Sequence, residues 1–312
     1  MRNATNLRHL NNYNKGIELA RGEYVWLISA DDMLRRSYIL ERYLEVMERH
    51  PEVGYSCCPA LEIRDGKETR VAAYSVVAKQ DRIFKGRQFL KKLPNSNRVI
   101  AASGMVRKSC YDRFGAFPLD LPYAGDWYLW CLFALHCDVA YFAEPMVNYR
   151  IHELSMTTAI VKDEKWICTQ DSVEVLWRIV RKAREAGAHD IVALFKRATV
   201  GSYASGLASP PGATRPFKWE DFHESLVQHV ENQREADWTR GLVYDAVGDR
   251  YFWQGDPTHA AESYRLALGM NPWGVETRIK LWLLRFGGVG FSIRQAVSGL
   301  VRVLREKNGF SA

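Results

Sequence analysis

Hydrophobic and polar positions change character twice along the chain. Residues 1–14 are polar and rich in asparagine, with little helix or strand signal. Residues 15–21 have the look of a short helical segment, broken at Gly22. YVWLIS (24–29) is uniformly apolar rather than alternating, which predicts a strand buried on both faces of a parallel or mixed sheet. After Ala30-Asp31-Asp32, a helix is expected from Ser37 through His50. Ser37 would serve as its cap, Ile39, Leu40, Tyr43, Leu44 and Met47 as its buried stripe, and Pro51 as its stop.

Further elements follow from the same periodicities. VGYSCC (53–58) reads as a strand, and Asp65-Gly66 is the strongest short turn signal, predicting a hairpin. Residues 86–93 read as a helix, 99–106 as a strand interrupted at Gly104, and 107–114 as a short helix. An apolar helix begins near Asp126, and strands are expected at 139–143 and 146–150. From about residue 169 the periodicity is helical throughout, with SPPGATRP (209–216) as a loop. The expected organisation is an α/β domain over 1–168, a helical domain over 169–287 and a basic amphipathic tail over 288–312.

Composition narrows the partners. The 312 residues are 47% hydrophobic and 25% charged, which is globular, and carry a net charge of +7. The pI of about 9.0 favours phosphates, nucleotides or acidic lipid. No run of five or more basic residues occurs, so nucleic acid is not expected as a partner. Six cysteines without a C-x-x-C pair are expected as reduced, buried thiols of a cytosolic protein. No apolar run is long enough to span a bilayer.

Chemistry concentrates where YVWLIS ends on Asp31 and Asp32. Side chains at the carboxyl end of a sheet strand face the crevice where α/β proteins bind ligands. Two carboxylates there can hold a hard divalent cation and leave positions for a substrate's phosphates. They can equally be loop carboxylates near the start of the following helix.

The context resembles one family. Asn14 to Leu34 (NKGIELARGEYVWLISADDML) is similar to the segment of family 2 glycosyltransferases of the GT-A fold in which an A-R-G helix feeds the strand bearing the D-x-D-type motif. GMVRKSCYDRFGAF (104–117), LPYAGDWYLWCLFAL (121–135) and VNYRIHELSMT (147–157) resemble three later segments of that family, in order. The resemblance implies a partial GT-A mixed sheet followed by an all-α region. It also implies transfer of a sugar, with inversion, from a nucleotide-sugar donor to a glycan or lipid-linked acceptor. By the same resemblance Asp32 is the ligand of a divalent cation (Mg²⁺ or Mn²⁺), and Asp31 assists the metal or contacts the donor ribose. His152 contacts the donor diphosphate or the metal, and Asp126 is the base. Trp127 and Tyr123 flank Asp126 and are candidates for the acceptor side, whereas Trp130 is expected in the core. Two family positions differ: Ser29 stands two residues before Asp31 where the family often has Asp, and Gly125 precedes Asp126 where an acid is usual.

The family's opening strand, of the V-S-V-I-I-P-T-Y-N type, is not found before Asn14. The expectation is a sheet with exposed apolar edges and weak or no binding of nucleotide sugar by this chain alone. Tyr244, Val247, Gly248, Tyr251, Gly255, Ala260, Tyr264, Ala267 and Pro272 resemble one tetratricopeptide repeat. The end of the chain places Ile293, Val297, Leu300 and Leu304 on one stripe, with Arg294, Arg302, Arg305 and Lys307 making it basic. Such a helix either lies on an anionic membrane surface, at the inner face of a cytoplasmic membrane, or docks on the protein. A second functional class is a non-catalytic remnant that binds proteins through its helical repeat region.

Overall fold

The computed structural model describes residues 3–163, 165–208, 217–290 and 292–296, which fall into two compact units divided after Ser202. In the first unit two sheets carry the strands. One has the order β1 (Tyr24–Trp26), β7 (Met105–Arg107), β3 (Val53–Cys57), β8 (Asp138–Tyr141), β6 (Arg82–Phe84). Only β3 and β8 run parallel; the other neighbours are antiparallel. The second has the order β2 (Met33–Leu34), β9 (Val147–Arg150), β4 (Ala60–Arg64), β5 (Lys67–Val71), with β4 and β9 parallel. This mixed α/β architecture, with a helix-rich remainder of the chain, has the character of a GT-A-like domain.

Helix α1 (Arg8–Leu19) starts well before the predicted segment at 15–21. Only Leu10 and Ile17, two turns apart, are buried on it, so its polar first half hides the helix from a reading of hydrophobicity. Helix α2 (Ile39–Arg49) buries Ile39, Tyr43 and Met47 at i, i+4, i+8, while Leu40 lies exposed off that stripe. Its N-cap is Tyr38 with no side-chain cap, so Ser37 does not cap it. Tyr43 is the keystone of this core. Its ring stacks between Trp26 and Phe142 at 5.3 and 4.9 Å, and its hydroxyl donates to the Ser103 carbonyl at 3.1 Å. Burying side chains of this size stabilises by roughly 1.5–3 kcal/mol each.

The predicted hairpin is present: Arg64 pairs with Lys67 across Asp65 (φ 49°) and Gly66 (φ 76°). Both central residues take positive φ, as a two-residue type I′ turn requires. After α3 (Gly86–Leu90), residues 101–103 form a 3-10 turn, and the strand expected over 99–106 shortens to β7. Gly104 explains the break: a Cβ there would lie 2.3 Å from the Trp130 indole. Strand β1 is also shorter than YVWLIS. It sits at an edge of its sheet, with Val25 buried and Ile28 exposed, so burial on both faces does not extend along the whole apolar run. Helices α4 (Lys108–Phe114) and α5 (Gly125–His136) form as expected. Helices α6 (Met156–Asp163) and α7 (Lys165–Glu185) follow, and α8 (His189–Leu207) closes the series. Residue 168 lies inside α7, which packs on α5 within the first unit.

The second unit holds α9 (Trp219–His229), α10 (Gln233–Trp253), α11 (Pro257–Met270) and α12 (Val275–Leu283). Helices α10 and α11 form a hairpin around Gly255 (φ 79°), and Gly248 makes room for the ring of Tyr264, which a Cβ would meet at 2.5 Å. Residues 292–296 are helical, and Arg294 is buried rather than solvent-facing. Its guanidinium pairs with Asp249, donates to the Tyr264 hydroxyl at 2.6 Å and lies 4.2 Å from the centre of the Phe252 ring. The basic-stripe role expected for Arg294 is therefore replaced by an internal ion pair, because aromatic faces and a carboxylate offset its desolvation. Val297, Leu300, Arg302, Leu304, Arg305 and Lys307 lie outside the described residues. Among the described residues no helix is long and apolar enough to cross a membrane.

Candidate active site

Asp31 and Asp32 lie where the chain leaves one sheet for the other, between β1 and β2. A tight turn forms there, with the Asp32 N–H donating to the Ser29 carbonyl at 3.0 Å. Strand β2 then pairs with β9, Met33 opposite Asn148 and Leu34 opposite Val147. That pairing carries the end of β9 past the acidic turn. The backbone N–H of Arg150 donates to Asp32 Oδ1 at 3.1 Å, and Arg150 Nε donates to the Asp31 carbonyl at 2.8 Å. His152 follows, its Nε2 3.0 Å from Asp31 Oδ2. The two carboxylates and His152 are thus drawn together, as the sequence suggested. Arg150, which the sequence reading did not single out, is what binds the turn.

Burial pushes the Asp32 carboxyl up to about 6; the Arg150 N–H opposes this and the Asp31 charge adds to it. A cation would relieve that cost. The donor set fits a hard divalent ion: carboxylate oxygens from two adjacent residues, with an imidazole beside them. Asp32 uses one oxygen for Arg150, and a carboxylate has a second. Among the described residues no cluster of three His, Cys, Asp or Glu side chains is arranged as a complete metal cage. Mg²⁺ is commonly held by one or two carboxylates together with waters and substrate phosphates.

Asp126 is the second residue of α5, where the helix dipole favours an anion. Its Oδ1 accepts the Trp127 N–H at 2.7 Å and its Oδ2 accepts the Asn97 amide at 2.9 Å. Burial nonetheless raises its carboxyl to about 6. The peptide groups leading into the helix are held from elsewhere: Asp171 Oδ2, on α7, accepts the N–H groups of Tyr123 at 2.7 Å and Ala124 at 3.2 Å. The N-cap, Ala124, makes no side-chain cap bond. Asp126 thus satisfies one first-turn N–H of α5 while Asp171 holds the two peptide groups before it, and neither Asn97 nor Asp171 carried a signal in the sequence.

The flanking aromatics divide. Trp127 is buried, and its indole N–H donates to the Leu93 carbonyl at 3.0 Å. That indole belongs to the core and presents no face to an acceptor, which corrects the expectation for it. Trp130 is buried as anticipated. Tyr123 remains half-buried beside Asp126, whose charge helps burial to raise its hydroxyl to about 12.

Tyr149, on β9, relates the two carboxylate groups. Burial raises its hydroxyl first, a hydrogen bond with Thr157 lowers it, and the charges of Asp32, Asp126 and Asp31 then raise it further. One phenol therefore lies in the field of all three acids. An open cavity of about 1260 Å³ adjoins this region without including the acids in its lining; Leu119, Pro122, Met156 and the start of α1 bound it. Pro122 precedes Tyr123 in the chain, and Met156 precedes Thr157.

Residues 1–114 match the family model described as Glycosyl transferase family 2. Over that stretch, a little more than a third of the chain, the protein is similar to that family. Glycosyl transfer is the general activity that the family 2 domain supports, with a nucleotide-sugar and an acceptor as its substrates. The match includes Asp31 and Asp32 and stops short of Asp126, Tyr149 and His152. No curated protein matches the chain.

Proposed function

We propose that this chain is a metal-assisted, inverting glycosyltransferase that moves a sugar from a nucleoside-diphosphate donor to a hydroxyl of a glycan or lipid-linked acceptor. Asp32 is the direct ligand of the cation, Asp31 assists it, and His152 faces the donor diphosphate. A bound Mg²⁺ or Mn²⁺ offsets the charge that builds on the departing diphosphate. Asp126 removes the proton from the acceptor hydroxyl, whose oxygen attacks the anomeric carbon opposite the diphosphate; the glycosidic C–O bond to phosphate breaks as the new one forms. A base must be ionised at the working pH and matched to it. A carboxyl near 6 is still mostly ionised at neutral pH and is a stronger base than an ordinary aspartate. Tyr123 stands beside that base on the acceptor side. These residues all lie within the first compact unit.

The observation that carries the reading is the acidic turn between β1 and β2, where pairing of β2 with β9 brings His152 Nε2 to 3.0 Å from Asp31 Oδ2 and the Arg150 N–H to 3.1 Å from Asp32 Oδ1. A panel of nucleoside-diphosphate sugars, assayed with Mn²⁺ for release of nucleoside diphosphate, tests it. Turnover is expected to be low, in keeping with weak donor binding by this chain, and to be abolished by Asp32→Ala and by Asp126→Asn. Turnover unaffected by either substitution defeats the assignment.

A further inference from the structure

Two of the six cysteines stand apart from the rest. Cys57, Cys58 and Cys131 are buried, and burial holds their thiols in the protonated form. Cys110, on α4, and Cys137, which ends α5, are separated by 27 residues, yet their sulfurs lie 3.8 Å apart. Both are free thiols, Cys110 buried and Cys137 half-buried.

The surroundings leave space for this pair and little for anything else. Cys110 Sγ is 3.7 Å from the Gly54 carbonyl. A Cβ on Gly54 would meet Cys137 Cβ at 2.6 Å, Cys110 Sγ at 3.0 Å and Cys137 Sγ at 3.1 Å. The glycine in β3 is thus the gap into which both thiols fit. A Cβ on Gly86 would likewise meet the Cys137 carbonyl oxygen, at 2.0 Å. A disulfide has an S–S length of about 2.05 Å, so closure asks the two sulfurs to approach by under about 2 Å.

We propose that Cys110 and Cys137 form a redox-active dithiol site that a peroxide closes into a disulfide across the segment bearing Tyr123 and Asp126. Cys137 is the attacking sulfur. The hydrogen bond with Cys110 draws its thiol down to about 7, Arg113 and Arg107 pull in the same direction, and burial and the Asp138 charge oppose them. Cys110 is raised by the same hydrogen bond and by burial. Thiolate character and access mark the reactive partner of a cysteine pair.

The steps balance. The Cys137 thiolate attacks one peroxide oxygen, the O–O bond breaks, and the departing hydroxide leaves as water after taking up a proton; Cys137 becomes a sulfenic acid. The Cys110 sulfur then attacks the Cys137 sulfur, the S–O bond breaks, and a second water leaves with the Cys110 proton. Two thiols and one hydrogen peroxide give one disulfide and two waters, the two electrons passing from sulfur to peroxide. The bond encloses the rear of α4, the connecting loop and α5, so both ends of the stretch that positions Tyr123 and Asp126 become covalently tied. This chemistry does not depend on the proposed transfer reaction.

The test treats the full chain with graded hydrogen peroxide, alkylates the remaining thiols and maps the peptides without reduction. The expected first product is a Cys110–Cys137 cross-linked peptide two hydrogens lighter than its reduced parts. Its formation should raise the unfolding temperature by roughly 5–10 °C, reversed by a thiol reductant. Cys110→Ser should leave Cys137 as a sulfenic acid that a cyclic 1,3-dione traps. Should a variant fail to fold, the wild-type map decides alone. Both thiols still alkylated at a peroxide dose that oxidises Cys168, or a bond to any other cysteine, overturns the proposal.

Discussion

The main-chain N–H of Arg150 reaches Oδ1 of Asp32 at 3.1 Å across 118 residues of sequence. Backbone and side chain of Arg150 act separately here, since its Nε holds the Asp31 carbonyl. Substitution therefore removes one contact and keeps the other. Arg150→Ala is expected to weaken activation by Mn²⁺ by about tenfold, the worth of roughly 1.4 kcal/mol. Asp32→Ala should abolish that activation. Titrating activity against Mn²⁺ in the three proteins gives the comparison, and equal midpoints in wild type and Arg150→Ala would remove Arg150 from the site.

Asp126 ties activity and stability to pH in opposite directions. With its carboxyl raised to about 6, the acid limb of the rate profile should fall below pH 6. The folded form holds this proton more tightly than the unfolded chain, where an aspartate titrates near 3.9. Folding stability is therefore lost as pH rises through the window from about 4 to 6. Asp126→Asn escapes that loss. Its amide can accept only one of the Trp127 and Asn97 bonds, so it starts less stable at low pH, but it should not lose the roughly 1–2 kcal/mol that wild type loses between about pH 4 and 7.5. Thermal unfolding of both proteins across pH 3.5–8 reads this directly.

Asp171 is a positioning residue acting through the Tyr123 and Ala124 peptides. Asp171→Ala leaves two N–H groups without their acceptor and should cost about 1–3 kcal/mol. Asp171→Asn retains an acceptor oxygen and should recover most of the stability. If the role concerns the base as well as the fold, turnover number should fall in Asp171→Ala with little change in donor KM. A loss confined to unfolding temperature would limit Asp171 to structure.

In the second unit, Arg294 and Lys280 converge on Asp249, Lys280 at 3.1 Å, and Lys280 also meets Asp245 at 2.5 Å. Lys280 still pairs with Asp249 when Arg294 is removed, so the loss is that of charge-assisted hydrogen bonds and ring packing, about 1.5–3 kcal/mol. Arg294→Ala should lower the unfolding transition accordingly, and paired replacement with Asp249→Ala should cost less than the sum of the two. Additive losses would show that the two groups act independently.

The elements legible in the sequence are those whose signal is local. Asp65-Gly66 announces a turn through its own backbone preference, and the i, i+4, i+8 burial of Ile39, Tyr43 and Met47 is written in α2 itself. Helix α1 was obscured because two buried residues suffice to hold it. The strand expected over 99–106 was cut by a partner far along the chain, the Trp130 indole against Gly104. Among site residues, Asp31, Asp32, Asp126, His152 and Tyr123 stood out by motif. Asn97, Arg150 and Asp171 did not, since each matters through hydrogen bonds to residues distant in sequence, Asn97 at 29 positions, Arg150 at 118 and 119, and Asp171 at 48 and 47. Trp127 carried a motif signal but went to the core, because its indole N–H found the Leu93 carbonyl.

The bond from α7 to the Tyr123 peptide bears on where this protein can be cut. A fragment ended at residue 114, with the family match, omits Asp126; one ended at 168 keeps Asp126 yet discards the carboxylate that fastens the approach to its helix. A piece that keeps both Asp126 and its fastening must extend at least to the end of α7 at Glu185.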